Sequence, residues 1–220
     1  VLDLGLAGQT EAIGDRAFSD DPAVVAALGR STIEGYLAGG ILPVIKHLPG
    51  HGRAIVDSHA DLPSVRADIQ ELAGADWLPF KANADASLGM TAHILFTELD
   101  ATACATQSAA IISEIIRGEI GFKGALLSDD LSMEALGGSL HDRAALARQA
   151  GCDLALHCNG RFDEMTAVLS AAGPLEGEAR LRVERAFAAK PVPKAFDAAS
   201  GRRRLDQLLA AGKQSSQALG

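Results

Sequence analysis

Titratable side chains are concentrated in the segment from Lys46 to His59, which reads KHLPGHGRAIVDSH. The segment follows the short apolar run ILPVI, which predicts a buried strand. It contains a lysine, an arginine, an aspartate and three histidines. The histidines are His47, His51 and His59. Functional residues are often found on loops at the ends of strands, so this segment is the first candidate for a site.

Asp57 and His59 are two positions apart within this segment. In an extended chain such residues lie on one side, so the Asp57 carboxylate can bind one ring nitrogen of His59. A histidine held in this way can donate and accept a proton near neutral pH, as a general acid–base catalyst does. The residues alone leave a second interpretation open, in which His59 is an ordinary surface histidine.

A second candidate is the pair Asp129 and Asp130, which ends the run ALLSDD. Neighbouring residues of a strand point to opposite faces, so only one of the two carboxylates can enter a given cleft. The other is expected to cap the next turn or to accept backbone hydrogen bonds. The carboxylate in the cleft can act as a nucleophile, a metal ligand or a general base, and the residues do not choose among these.

The spacing of His47 and His51 resembles that of two metal ligands on a helix. Pro49 and Gly50 lie between them, however, so the segment is not a regular helix, and it has few carboxylates to complete a ligand set. The chain also lacks the glycine motifs that bind phosphates or dinucleotides. The sequence therefore predicts no metal and no cofactor.

Predicted strands and helices alternate along the chain, and no hairpin turn joins two strands. Strands are predicted at 1–5, 41–44, 90–96, 125–127 and 154–157, and helices at 23–38, 66–84, 108–117, 141–150 and 161–171. Pro79 is expected to divide the second helix. This alternation predicts an α/β fold with a parallel sheet, and both an open doubly wound sheet and a (β/α)8 barrel fit it.

Composition narrows the range of partners. The chain has 220 residues, a net charge of -8 and a pI near 5.2, which argue against a nucleic-acid surface. It has no apolar run of the ~18 residues that a membrane span needs. Its three cysteines have no paired spacing, which favours a reducing compartment over a disulfide framework.

The motifs KHLPGHG, DSH, MTAHILF, GFKGALLSDDLSM and AGCDLALHCNG occur in this order from about Val1 to Gly160. In combination they closely resemble those of the bacterial β-N-acetylhexosaminidases of glycoside hydrolase family 3. The resemblance implies a (β/α)8 TIM-type barrel whose first three strands and part of the fourth precede Val1. Residues 1–220 are then one partial catalytic domain, with 173–220 as its C-terminal helical extension.

The resemblance also assigns roles to individual residues. It makes Asp129 the nucleophile, His59 the general acid–base group and Asp57 the partner of His59. The remaining assigned residues are expected to bind the sugar: Arg16, Lys46 and His47. Gly50 and Gly52 are expected to leave the backbone of the loop free to move during the reaction.

The implied activity is that of a retaining exo-β-N-acetylglucosaminidase, which acts on muropeptides derived from peptidoglycan and recycled in the cytoplasm. The sequence does not determine the oligomeric state, and a monomer is compatible with it. An aspartate and an arginine that bind the sugar in the family precede Val1, so these residues alone are expected to turn over poorly. The alternatives are another family 3 β-glycosidase, a metal-dependent amidohydrolase with His47, His51, His59 and Asp129 as ligands, or a non-catalytic fragment.

Overall fold

The structure, a computed structural model, describes residues 1–8, 11–55 and 62–217, with side chains described through residue 211. The strands β1–β6 are Val44–Leu48, Ser64–Val65, Leu88–Thr91, Leu95–Phe96, Ala125–Asp130 and Leu154–Leu156. The helices α1–α7 are Pro22–Ala38, Ile69–Gly74, Leu78–Ala82, Leu140–Ala150, Phe162–Ala172, Gly177–Ala188 and Ala198–Gln217. A 3-10 helix spans Gly14–Arg16, and a helix with π-type hydrogen bonding spans Ile111–Glu119.

Four strands form a parallel sheet in the order β1-β3-β5-β6, which is also their order along the chain. A doubly wound sheet reverses its strand order at a switch point, whereas a barrel adds each strand beside the previous one. The observed order is therefore that of a (β/α)8 barrel. Within the described residues the four strands do not close the barrel.

The strand predicted at residues 1–5 is not formed, so this prediction is wrong. Leu2 donates its N–H to the Lys46 carbonyl oxygen at 2.8 Å, but Gly5 turns away and donates to Ser19 at 2.8 Å. A strand requires a repeated ladder of such bonds with one neighbour. The segment instead lies extended beside the end of β1.

Two other predicted elements are each divided into two. The predicted helix at 66–84 consists of α2 and α3. Pro79 lies in the first turn of α3, where N–H groups have no acceptor within the helix, so its lack of an N–H costs no helical hydrogen bond. The predicted strand at 90–96 consists of β3, in the main sheet, and β4, which pairs with β2. His93 lies between β3 and β4, at the point where the chain leaves the main sheet.

The core lies between the sheet and its helices. The π-type helix contributes a buried apolar face at Ile111, Ile112, Ile115 and Ile116. The largest side chains that are wholly buried include Trp77, Phe80, Phe96 and Phe122. A core of this kind fixes the strands rigidly, and so fixes the positions of side chains at their carboxyl ends.

The C-terminal part of the chain is helical, as predicted. Arg182 of α6 binds the buried Asp153 at 2.9 Å, and Asp153 also binds Arg117 at 2.8 Å, so α6 is fastened to the start of β6. The division of the domain at residue 173 stays a prediction. Among the described helices none is both long and apolar enough to cross a bilayer.

Candidate active site

Lys46 and His47 lie at the carboxyl end of β1, on the same side of the sheet as Asp129 at the end of β5. Parallel strands bring their carboxyl ends to one edge, so residues far apart in sequence meet there. The peptide bonds Lys46–His47 and Leu48–Pro49 are both cis.

A buried carboxylate, that of Asp3, lies behind His47. It accepts the His51 N–H at 2.7 Å, the His47 N–H at 3.2 Å to each oxygen, and His47 Nδ1 at 2.8 Å. Burial raises the pKa of the Asp3 carboxyl, but the charge and hydrogen bond of His47, followed by those of His51, outweigh it and lower the pKa to about 2. Asp3 is therefore ionised at neutral pH and holds both histidines.

The two glycines of the loop after β1 allow close packing as well as a turn. A Cβ atom at Gly52 would lie 2.5 Å from the Leu4 carbonyl oxygen, so only glycine fits there. Gly50 has a φ of 139°, which side chains disfavour. The loop can thus lie directly against the segment that carries Asp3.

Asp129 and Asp130 are used in different ways, as expected for neighbours on a strand. Asp130 accepts the N–H of Ser132 at 3.0 Å, the hydroxyl of Ser132 at 2.6 Å and the N–H of Cys158 at 3.1 Å. Burial raises the pKa of Asp130, but the bonds from Ser132 and Cys158 lower it overall. Asp130 thus accepts backbone hydrogen bonds, as predicted for one of the pair, while Asp129 faces a cavity.

This cavity has a volume of about 100 Å³ and unites four of the six predicted site residues. Its lining is Ala12, Ile13, Arg16, Lys46, His47, His51, Asp129 and Met133. Arg16 is fixed by a bond from its Nη1 to the Ala12 carbonyl oxygen at 2.7 Å. The cavity therefore presents cationic donors and imidazoles to a single carboxylate, that of Asp129.

The two histidines in the cavity interact with each other. Their ring centroids are 5.5 Å apart, with the rings at 63°. Burial lowers the pKa of the His51 imidazole, although the Asp3 carboxylate opposes this. His51 is thus a neutral group near neutral pH, and it adds no positive charge to that of Lys46 and Arg16.

Asp57 and His59 lie outside the described residues, so their roles stay predictions. The segment that leads to them is well anchored. Arg53 Nε binds the buried Asp76 at 2.8 Å, and Ala54 donates its N–H to the His51 carbonyl oxygen at 3.1 Å.

His93 belongs to a wholly buried polar network close to Asp129 and His47, which line the cavity. Its Nδ1 lies 2.7 Å from the Thr106 hydroxyl, which is 2.8 Å from the Thr91 hydroxyl. Its Nε2 lies 3.1 Å from the Asp130 carbonyl oxygen. Burial lowers the pKa of His93, so the neutral ring is expected to donate to Asp130 and support the end of β5.

Comparison with known proteins identifies the family. Residues 1–188 match the model of the glycosyl hydrolase family 3 N terminal domain. The chain belongs to this family. A β-hexosaminidase of Thiobacillus denitrificans is 41% identical over 187 residues, which cover 82% of this family 3 chain and 52% of the relative. A β-hexosaminidase of Alkalilimnicola ehrlichii is 44% identical over 163 residues, with coverage of 72% and 46%.

Solved structures agree on the fold. The family 3 β-N-acetylglucosaminidase of a Paenibacillus species has a TM-score of 0.79 and 28% identity, over 90% of this chain and 41% of its own. NagZ of Neisseria gonorrhoeae has a TM-score of 0.75 and 32% identity, over 91% of this chain and 57% of its own. The family 3 chain thus spans about half the length of the curated relatives it matches.

Metal ligation was one alternative for the histidines of this family 3 chain. Within residues 1–8, 11–55 and 62–217, no group of three or more His, Cys, Asp or Glu side chains could hold a metal ion. His47 uses Nδ1 to bind Asp3. The structure of the Neisseria gonorrhoeae relative has also been solved in complex with zinc.

Asp3 and His93 were not predicted as site residues. Asp3 follows an apolar pair and meets His47 across 44 positions of sequence, so its role depends on tertiary contact. Asp3 lies in the middle of the strand predicted at 1–5, so the strand-end rule that found Asp129 does not mark it. His93 lies in the middle of the strand predicted at 90–96, and only its burial and its contact with the Asp130 carbonyl oxygen show that it supports the end of β5.

Proposed function

We propose that this family 3 chain is part of a retaining exo-β-N-acetylglucosaminidase, which removes terminal N-acetylglucosamine from muropeptides derived from peptidoglycan. The observation that carries the proposal is one cavity in which Asp129 meets Arg16, Lys46 and His47. The relatives named β-hexosaminidase and β-N-acetylglucosaminidase support the same activity.

In the first step Asp129 attacks the anomeric carbon while His59 protonates the leaving oxygen, so the glycosidic bond breaks as an ester bond to Asp129 forms. In the second step His59, now neutral, takes a proton from water, whose oxygen displaces Asp129 from the same carbon. Two displacements at one carbon retain its configuration. Asp57 orients His59 in both steps.

An imidazole suits the acid–base role next to Asp129. The common retaining arrangement places two carboxylates about 5 Å apart, where two negative charges repel each other. A histidine alternates between a cation and a neutral ring and avoids this repulsion. Lys46 and Arg16 donate hydrogen bonds to the sugar, and His47 contacts a further polar group.

The cavity accounts for only part of the binding site. Its volume of about 100 Å³ is below the ~300 Å³ at which small-molecule pockets usually begin. It is expected to bind one face of the sugar, while residues outside the described part of the chain complete the site. No cofactor and no metal enter the proposed reaction.

The natural substrate and the compartment are proposed on the same basis. NagZ of Neisseria gonorrhoeae has been solved in complex with N-trifluoroacetyl-D-glucosamine, an analogue of the sugar proposed here. The three cysteines are free, as in proteins of a reducing compartment. We therefore propose that the protein acts in the cytoplasm on recycled muropeptides.

A chimera tests the activity. The N-terminal half of the barrel of the Neisseria gonorrhoeae relative is joined to residues 1–188, and its rate is compared with that of the 220-residue chain alone. We expect the chimera to hydrolyse an aryl N-acetyl-β-glucosaminide much faster, because the closed barrel completes the site. Equal rates would contradict this expectation, and faster cleavage of the aryl β-glucoside would favour a different family 3 β-glycosidase.

A further inference from the structure

Asp3 contacts three hydrogen-bond donors, and each of its oxygens has a different task. Oδ1 accepts the His51 N–H at 2.7 Å and the His47 N–H at 3.2 Å. Oδ2 faces the His47 ring, with Nδ1 at 2.8 Å, and also lies 3.2 Å from the His47 N–H. The Asp3 side chain is completely buried, so protein groups alone satisfy it.

The ionised carboxylate of Asp3 can only accept hydrogen bonds, so His47 must place a proton on Nδ1. When the ring is neutral, this is its single proton. Nε2 of His47, the polar atom at the other side of the ring, is then an acceptor. Among the other polar residues of the cavity, Lys46 and Arg16 can only donate, whereas the Asp129 carboxylate can accept.

We infer that Asp3 is a positioning residue that fixes the Nδ1–H tautomer of His47, and so makes the cavity select a sugar hydroxyl that donates to His47 Nε2. This inference rests on the proposed sugar-cleaving function, and it specifies which chemical group of the sugar the site recognises. A hydroxyl donates a hydrogen bond, whereas a fluorine or a methoxy group at the same carbon cannot. The site therefore requires a free hydroxyl where His47 meets the sugar.

Asp3→Asn is expected to invert this selection. The two backbone N–H groups at Oδ1 need an acceptor, so the amide oxygen of the new side chain occupies that position. Its NH₂ group then faces His47 Nδ1, which must accept, and the proton moves to Nε2. The substitution of the orienting aspartate in serine proteases has the same effect on its histidine.

The tautomer is measured by ¹⁵N NMR of the histidine rings at about pH 8, where a histidine of ordinary pKa is neutral. The expected result is a proton on Nδ1 of His47 in the unaltered chain and on Nε2 in Asp3→Asn. Asp153→Asn is the control, since Asp153 is an equally buried carboxylate at the opposite end of the sheet. A proton on Nε2 in the unaltered chain would overturn the inference, as would protons on both nitrogens. This readout requires no turnover, and the circular dichroism spectrum of each variant shows whether it is folded.

The selection itself is measured by binding of N-acetylglucosamine and its analogues with fluorine in place of the hydroxyl at C3, C4 or C6. One analogue should bind the unaltered chain about tenfold more weakly than the parent sugar. Asp3→Asn should bind the parent sugar more weakly than the unaltered chain does. The loss of affinity caused by that same fluorine should largely disappear in Asp3→Asn, whereas Asp153→Asn should show it unchanged. An unchanged loss of affinity in Asp3→Asn would overturn the inference. If the parent sugar binds neither this chain nor the chimera, the proposed function fails and the hydroxyl selection falls with it.

Discussion

Three aspartates near the edge of the sheet are held in different ways, and the difference separates their roles. Asp3 is buried and binds three backbone or ring donors. Asp130 binds Ser132 and Cys158, and so shapes the loop after β5. Asp129 accepts the Asp130 N–H at 2.9 Å and faces the cavity. A carboxylate that is positioned but open on one side is suited to attack a substrate.

Asp129→Asn and Asp130→Asn form a matched pair of variants for this difference. In the chimera, Asp129→Asn should reduce kcat for the aryl N-acetyl-β-glucosaminide by at least about 10³-fold, because the amide is a poor nucleophile. Asp130→Asn should chiefly lower the melting temperature and leave clear residual turnover. Equal losses of kcat in two folded variants would contradict the distinction.

The stability of the protein should depend on the ionisation of Asp3 in acid. Its pKa falls from an ordinary 3.8 to about 2 on folding, so its contribution is complete above about pH 4 and is lost as the pH falls through about 2. The shift corresponds to about 2 kcal/mol. The free energy of unfolding is measured with urea at about pH 5 and about pH 2. Between these two pH values it should fall by about 2 kcal/mol more in the wild type than in Asp3→Asn. An equal loss in the two proteins would show that folding does not lower the pKa of Asp3.

At the scale of elements, the sequence predicted a helix or strand well where neighbouring residues alone determine it. Asp21 caps α1 by accepting the Ala23 N–H at 2.8 Å, and Pro22 begins the helix, one residue before the predicted start at residue 23. The division of the strand predicted at 90–96 was not predictable from local pattern, because it depends on β4 pairing with β2. Asp3 likewise acquires its role only when the fold brings it to His47.

The attachment of α6 to the sheet gives a prediction about an element. Arg182 binds the buried Asp153, whereas Arg180 on the same helix binds the exposed Glu184. Arg182→Ala should lower the free energy of unfolding by about 1–2 kcal/mol, because a buried charged hydrogen bond is lost. Arg180→Ala should leave it nearly unchanged, since exposed ion pairs contribute little. Chemical denaturation measures both, and equal effects would argue against the role of Asp153 in anchoring α6.

At the scale of the whole molecule, the barrel was predictable only with the family resemblance. Alternating strands and helices fit a doubly wound sheet equally well, and the sequential order of β1, β3, β5 and β6 separates the two. That order brings Lys46 and His47 to the same edge as Asp129, and the 3-10 helix adds Arg16 to the cavity. The contribution of His59 depends on residues outside the described part of the chain, and it rests on the resemblance.

Covalent trapping tests the central claim most directly. A C5-fluorinated N-acetylglucosaminyl fluoride has a good leaving group but reacts slowly with water afterwards, so the glycosyl-enzyme should accumulate on the chimera. Digestion and mass spectrometry should then find the sugar on the peptide that contains Asp129, with fragmentation placing it on that residue and no label in Asp129→Asn. A label on Asp130, or hydrolysis that proceeds with no labelled peptide, would contradict the assignment of Asp129 as the nucleophile.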